Sequence, residues 1–300
     1  MHYWLFKILV VPVFYLFSLI PFFLLYPFSS VLAFLLYNVV AYRKQVVLEN
    51  LRKSFPEKSE QELRQIAKTF YVHFCDTILE TIKLLTMSEQ TFKKRCSFDK
   101  RALATFQHFF RTNQSVVGLM GHCGNWEWAA IAHQFYFREH ITGVYHPLSS
   151  KSFDEFMFKL RTRKGGHIIP MSKVYPELLR LQASHTRTTL GLIADQAPPP
   201  ESAVWTKFLN QDTAFYMGPE KIARRFNYPV IYLGVKKVKR GHYVLHVKVL
   251  SEHPAETQTG DITRLYVEEL EKDIREQAFN WLWSHRRWKH KRPPTSKPVL

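Results

Sequence analysis

The residues best placed to do chemistry lie in one short run, Ser115 to Ala132, SVVGLMGHCGNWEWAAIA. Val116 to Met120 reads as a buried strand ending at Gly121, and Trp126-Glu127-Trp128 opens an apolar helical run. Between them stand His122, Cys123, Gly124 and Asn125. Asn125 is a natural cap, with a side-chain oxygen able to accept from an orphan N–H of the first helical turn. His122 therefore falls at the carboxyl end of a strand, where open α/β sheets bind ligands. Glu127, in the first turn, is expected to reach back to a ring nitrogen of His122. A carboxylate there fixes the tautomer and stabilises imidazolium, leaving the second nitrogen to remove a proton. The pair reads as a general base with its orienter.

Other chemistries fit less well. A lone histidine beside a turn is ordinarily a packed structural residue, so the pair needs support from the rest of the chain. Cys123 adjoins the histidine, but sequence neighbours rarely bond side chain to side chain, and no third partner is visible. The H-x4-E spacing is not the helical H-E-x-x-H of zinc sites, and Cys75, Cys96 and Cys123 are far apart. No metal and no bound cofactor is expected.

The elements that must position this run follow from pattern. The chain has 300 residues, 46% of them hydrophobic, enough for one sizeable core with an appendage. Three unpaired cysteines fit a reducing compartment. Lysine and arginine outnumber acids 42 to 25, a formal charge of +17 that calls for an anionic partner. From Ile8 to Tyr42 no charged residue occurs, long enough for one membrane span of ~20 residues, with Pro21 and Pro27 breaking the remainder. Arg43, Lys44, Arg52 and Lys53 follow it, against Lys7 before it, which puts the body on the cytoplasmic side. Residues 1–42 are thus expected to be a membrane anchor and 43–300 the catalytic domain. That anchor favours membrane lipid over nucleic acid as the anionic partner.

Helices are expected over Gln45–Phe55, Glu60–Leu85 and Asp99–Arg111 ahead of the central strand. Beyond it come strands at Ile141–Tyr145, His167–Pro170 and Thr188–Ala194, alternating with helices at Phe153–Lys164 and Lys173–Ala183. The proline run 198–200 begins an expected loop bordering a cleft. Helices at Gly218–Asn227 and Ile262–Phe279 flank a strand pair, Pro229–Lys236 and Tyr243–Leu250. The pattern predicts a mainly parallel mixed sheet flanked by helices. The closing run His285-Arg286-Arg287-Trp288-Lys289 suits a headgroup-level anchor or a patch for lipid phosphate.

Gly121 through Glu127 resembles the H-x4-D/E block of the late lipid A (lauroyl/myristoyl) acyltransferases. The likeness continues in order through Arg43-Lys44, Glu49-Asn50-Leu51 and Phe55-Pro56, then Tyr145-His146-Pro147, Arg161 to Gly165, Asp195-Gln196, Phe208 to Gly218 and Trp281 to Lys289. It departs at His146, where the family often has arginine, which leaves the acceptor headgroup open. The resemblance implies a glycerolipid-acyltransferase-like fold at the inner membrane. It implies acyl transfer from acyl carrier protein or coenzyme A to a hydroxyl of a lipid A precursor, with His122 and Glu127 as the dyad. Arg161, with Arg163 as the alternative, and Asp195, Asn125 and Gly124 would meet the substrate. Another hydroxyacyl envelope lipid as acceptor, a membrane thioesterase, and a non-catalytic surface protein are the competing readings.

Overall fold

The computed structural model describes residues 3–293. Two apolar helices come first, α1 (Tyr3–Leu19) and α2 (Phe22–Val39), broken at Pro21. The α2 helix is long and apolar enough to cross a membrane, and only 22% of it is buried within the chain. Its inward stripe is Leu25, Ser29, Ala33 and Tyr37, at four-residue steps.

Helices α3 (Lys44–Ser54) and α4 (Glu60–Lys83) follow. Ser59 and Glu62 close a reciprocal capping box at the start of α4, satisfying two orphan amides. Next come α5 (Glu89–Arg95), the three-residue strand β1 (Cys96–Phe98) and α6 (Lys100–Arg111), the last capped by Asp99 on the Ala102 amide at 2.6 Å.

From there strand and helix alternate: β2 (Val116–Met120), α7 (Trp126–Tyr136), β3 (Ile141–Tyr145), α8 (Lys151–Thr162), β4 (His167–Pro170), α9 (Val174–Ala183) and β5 (Thr189–Ile193). The hairpin β6 (Ala203–Phe208) and β7 (Gln211–Tyr216) stands apart as a small second sheet. Helix α10 (Gly218–Phe226), strands β8 (Val230–Lys239) and β9 (His242–Ser251), and helix α11 (Asp261–Glu276) complete the order.

The main sheet runs β1-β9-β8-β2-β5-β3-β4. Every pairing in it is parallel except β8 with β9. The mostly parallel α/β architecture read from the alternation is the one observed. Buried on both faces, β2 reads as a continuous apolar run, as central parallel strands do.

The β6–β7 hairpin corrects the expectation of a loop after the prolines. Its two-residue turn is Leu209-Asn210, both at positive φ (50° and 64°). Turns of this kind normally announce themselves with Asn-Gly or Asp-Gly, and leucine there conceals the signal. The C-terminal run also differs from expectation. Trp281 and Trp283 are buried, and Trp288 packs on the core and donates to Thr213 Oγ1 at 2.7 Å. Arg287 is buried over the Phe215 ring at 4.5 Å. Among the described residues of this run, the exposed cations are Arg286, Lys289 and Lys291. Residues 294–300, at the end of the expected catalytic domain, lie outside the described residues, as do Met1 and His2.

Candidate active site

Parallel pairing of β2 with β5 aligns Met120 with Ile193, so the chain leaves both strands at the same edge. His122 and Asp195 emerge side by side there. The His122 Nδ1 lies 2.6 Å from Asp195 Oδ1, and the His122 amide donates to Asp195 Oδ2 at 2.8 Å. The Trp281 indole donates to the same Oδ2 at 2.7 Å. A carboxylate facing Nδ1 keeps the proton on that nitrogen and leaves Nε2 as the base. Nε2 has the Gln196 amide nitrogen at 3.3 Å and faces a cavity.

Two glycines make this approach possible. A Cβ on Gly121 would stand 2.5 Å from Leu270 Cδ1 and 3.3 Å from Asp195 Oδ2. Gly124 has φ +57°, and a Cβ there would meet Val235 Cγ1 at 2.5 Å.

The electrostatics follow from burial. Burial alone lowers the His122 pKa, but the charge and hydrogen bond of Asp195 more than reverse this and hold it above its ordinary 6.5. Burial pushes the Asp195 carboxyl up, and His122 together with the Trp281 donor overrides that, holding it well below the usual range. Each partner stabilises the charged form of the other.

Glu127 stands elsewhere than expected. Its two oxygens accept from Arg161 Nη2 at 2.6 Å and Nε at 2.9 Å, a bidentate pair with little exposure. The reach-back of Glu127 to the imidazole is thus replaced by Asp195. The first-turn carboxylate is claimed by a guanidinium from the last turn of α8, and a carboxylate from the neighbouring strand already occupies Nδ1. Glu127 still raises the His122 pKa through its charge, and Arg161 opposes it. Of the two arginines considered, Arg161 lines the cavity with His122, whereas Arg163 lies in a separate cleft with Lys7 and Lys159.

Asn125 and Gly124, expected as substrate contacts, are placed outside the lining of the cavity. Asn125 is fully buried, capping Trp128 N at 3.0 Å and donating to Glu80 at 2.8 Å. The Gly124 amide is taken by Asn280 O at 2.8 Å. Asp195, read as a substrate contact, holds the imidazole instead and is 2% exposed. Cys123 is buried with its thiol pushed up by burial, which suits packing and not attack. His146 is exposed at the cavity rim.

The cavity has a volume of about 350 Å³ and runs between α7 and one face of the sheet. Small residues hollow it from both sides. Gly118, Gly191 and Gly143 stand abreast on β2, β5 and β3. Ala129 and Ala130 face them from α7, with Ile141, Ile193 and Ile231 among the other walls. Among the described residues no group of three or more His, Cys, Asp or Glu side chains is placed to hold a metal ion.

The structure thus sets a histidine paired with a buried carboxylate at the end of a central parallel strand, beside a largely apolar cavity. The chain belongs to the bacterial lipid A biosynthesis acyltransferase family, whose sequence profile matches residues 1–290. Membership makes it an acyltransferase of lipid A biosynthesis in general terms. No individual curated protein matches it.

Proposed function

We propose that the protein transfers an acyl chain from an acyl-carrier thioester to a free hydroxyl on a lipid A precursor. The observation that carries this reading is the His122–Asp195 pair at the mouth of the apolar cavity. Its lining is largely apolar, so an acyl chain entering it gains by leaving water.

The steps are those of direct transfer. His122 Nε2 takes the acceptor's hydroxyl proton while the oxygen attacks the thioester carbonyl, and Asp195 stabilises the imidazolium formed. Collapse of the tetrahedral intermediate forms the ester and expels the thiolate, which takes the proton. The Gln196 side-chain amide, 3.3 Å from His122 Nε2, is a donor at hand for the oxyanion, a contribution worth ~3–4 kcal/mol when aimed well. Arg161, held rigid by Glu127, supplies positive charge at the mouth. In this reading Glu127 acts on the base through its field and through Arg161. The N-terminal apolar segment holds the body at the cytoplasmic face of the inner membrane, within reach of acyl carrier protein.

The test pairs purified protein and acyl-carrier-protein thioester with a hydroxyacyl glucosamine phospholipid, and with its counterpart lacking the free hydroxyl. Ester formation on the first alone, abolished by His122→Ala, is expected. Release of free fatty acid as the sole product would make water the acceptor. Near-normal transfer by His122→Ala would refute the mechanism.

A further inference from the structure

The α2 helix and the break before it are tied to polar and charged groups of the body. The α2 helix runs antiparallel to α4, with its bonds ordered in a ladder. The Tyr71 hydroxyl donates to Tyr42 O. Ser29 donates to Asp76 at 2.7 Å, and the Tyr26 hydroxyl to Glu80 at 3.0 Å. Lys83 reaches the carbonyls of Ser18 at 2.6 Å and Ile20 at 2.9 Å, at the break between the helices. Behind this row, the turn between β8 and β9 brings Arg240 to Asp76 at 2.7 Å and to Tyr26 O at 3.0 Å.

These contacts decide how the helix meets a membrane. At 18 residues, α2 is about 27 Å long, close to the ~30 Å hydrocarbon core. If it crossed the bilayer, Asp76, Glu80, Lys83 and Arg240 would go to hydrocarbon depth with it, along with the polar ends of α4 and the hairpin. Charges at that depth are strongly disfavoured, and these are joined to α2 by hydrogen bonds that give no slack. The opposite face is bare: Phe23, Val31 and Phe34 are 72%, 59% and 61% exposed, and Ile8 and Leu16 of α1 are both 66% exposed.

We infer that α1 and α2 lie flat in one leaflet, with lipid covering their outward apolar face, and that neither helix spans the bilayer. This deepens the proposed membrane attachment. The charge pattern suits an anionic leaflet, because Arg43 and Lys44 close one end of the patch, and at the other Arg163 gathers with Lys7 and Lys159, which share Glu155, leaving that cluster net positive. The patch also leads to the site. Phe6 packs on Phe153 of α8 at 6.1 Å, and exposed Leu148 and Met171 line the rim of the catalytic cavity. A lipid acceptor thus reaches His122 by lateral movement within the leaflet it already occupies.

The test uses the full chain on sealed phosphatidylglycerol–phosphatidylethanolamine vesicles with bodies outward. One variant carries a protease site inserted between Ile20 and Pro21, and another carries it fused to the N-terminus. Added protease is expected to cut both without detergent. A single span through α2 would protect both sites, and a two-span hairpin would protect the inserted one. Protection of either site overturns the inference. Failure to bind vesicles at any salt would overturn membrane attachment itself. Transfer to detergent-dispersed acceptor would show separately that the acyltransferase reading stands.

Discussion

Gly191→Leu should convert the protein into an enzyme for shorter acyl chains. Gly191 sits in the middle of β5, abreast of Gly118 and Gly143, and a Cβ built there meets nothing within 4 Å. The new side chain therefore enters the cavity without displacing the sheet. It would close the part running toward Thr189, two residues or about 7 Å along the strand. A zigzag chain with ~1.5 Å bonds advances about 1.3 Å per carbon, so roughly five methylenes lose their place. At ~0.8 kcal/mol each, the loss approaches 4 kcal/mol, which partial rearrangement of a flexible chain will reduce. The expected result is a fall of about 100- to 1000-fold in kcat/KM for the longest donor used by the parent, with a donor about five carbons shorter nearly unaffected. A series of acyl-carrier thioesters followed by mass spectrometry of the product measures this directly. An equal loss at every chain length would refute the placement of the acyl chain, and so would no loss at any.

Three further perturbations follow from the site and its supports. His122 must be neutral to act, and its pKa is raised, so activity should rise with pH through a value above 6.5. Asp195→Asn removes the anion that raises it, and should move that acid limb downward while cutting kcat by roughly 10²–10⁴. A pH–rate profile with an unmoved limb would show that Asp195 does not set the base. Arg161→Met leaves the Glu127 carboxylate half-buried and unpaired, costing about 1–3 kcal/mol after allowance for partial exposure, and Glu127→Gln in the same chain should recover most of it. Thermal melts of the two single variants and the double variant would show coupling, and simple additivity would contradict the pairing. Glu80 is pushed up to about 7, first by burial and then by the charge of Asp76. Its folded-state pKa thus exceeds the unfolded value, so its stabilisation is complete below about pH 4.5 and is lost as pH rises through 7. The loss is on the order of 3 kcal/mol. Glu80→Gln should flatten that decline in unfolding measurements across pH 4–8, and an unchanged slope would contradict it.

The strand, turn and helix around His122 were legible because each rests on local chemistry: an apolar run, two glycines and an asparagine cap. The alternation after Ile141 was legible for the same reason. What local pattern does not reveal is which strand lies beside which. Asp195 follows β5, and β5 inserts between β2 and β3, so the carboxylate reaches His122 across 73 positions of sequence. An acid just beyond a strand's carboxyl end was the available signal, and it marked Asp195 for the site without assigning its bond. Glu127 misled because spacing alone ignores competition, and the guanidinium of Arg161 arrives from a separate helix. The closing tryptophans read as a surface anchor by composition, because nothing local tells an indole at a headgroup from one under a buried carboxylate.

That last arrangement bears on how the protein is made. One of the donors holding Asp195 is the Trp281 indole, and Trp281 also pairs along the backbone with Cys123, next to the base. Chains emerge from the ribosome N-terminus first, and domains generally fold as they emerge. The apolar helices can therefore settle on lipid while the body is still being synthesised. In the proposed mechanism the His122–Asp195 pair is completed only after Trp281 has been made. On the proposed mechanism and membrane attachment, a chain cut short upstream of Trp281 would dock without activity.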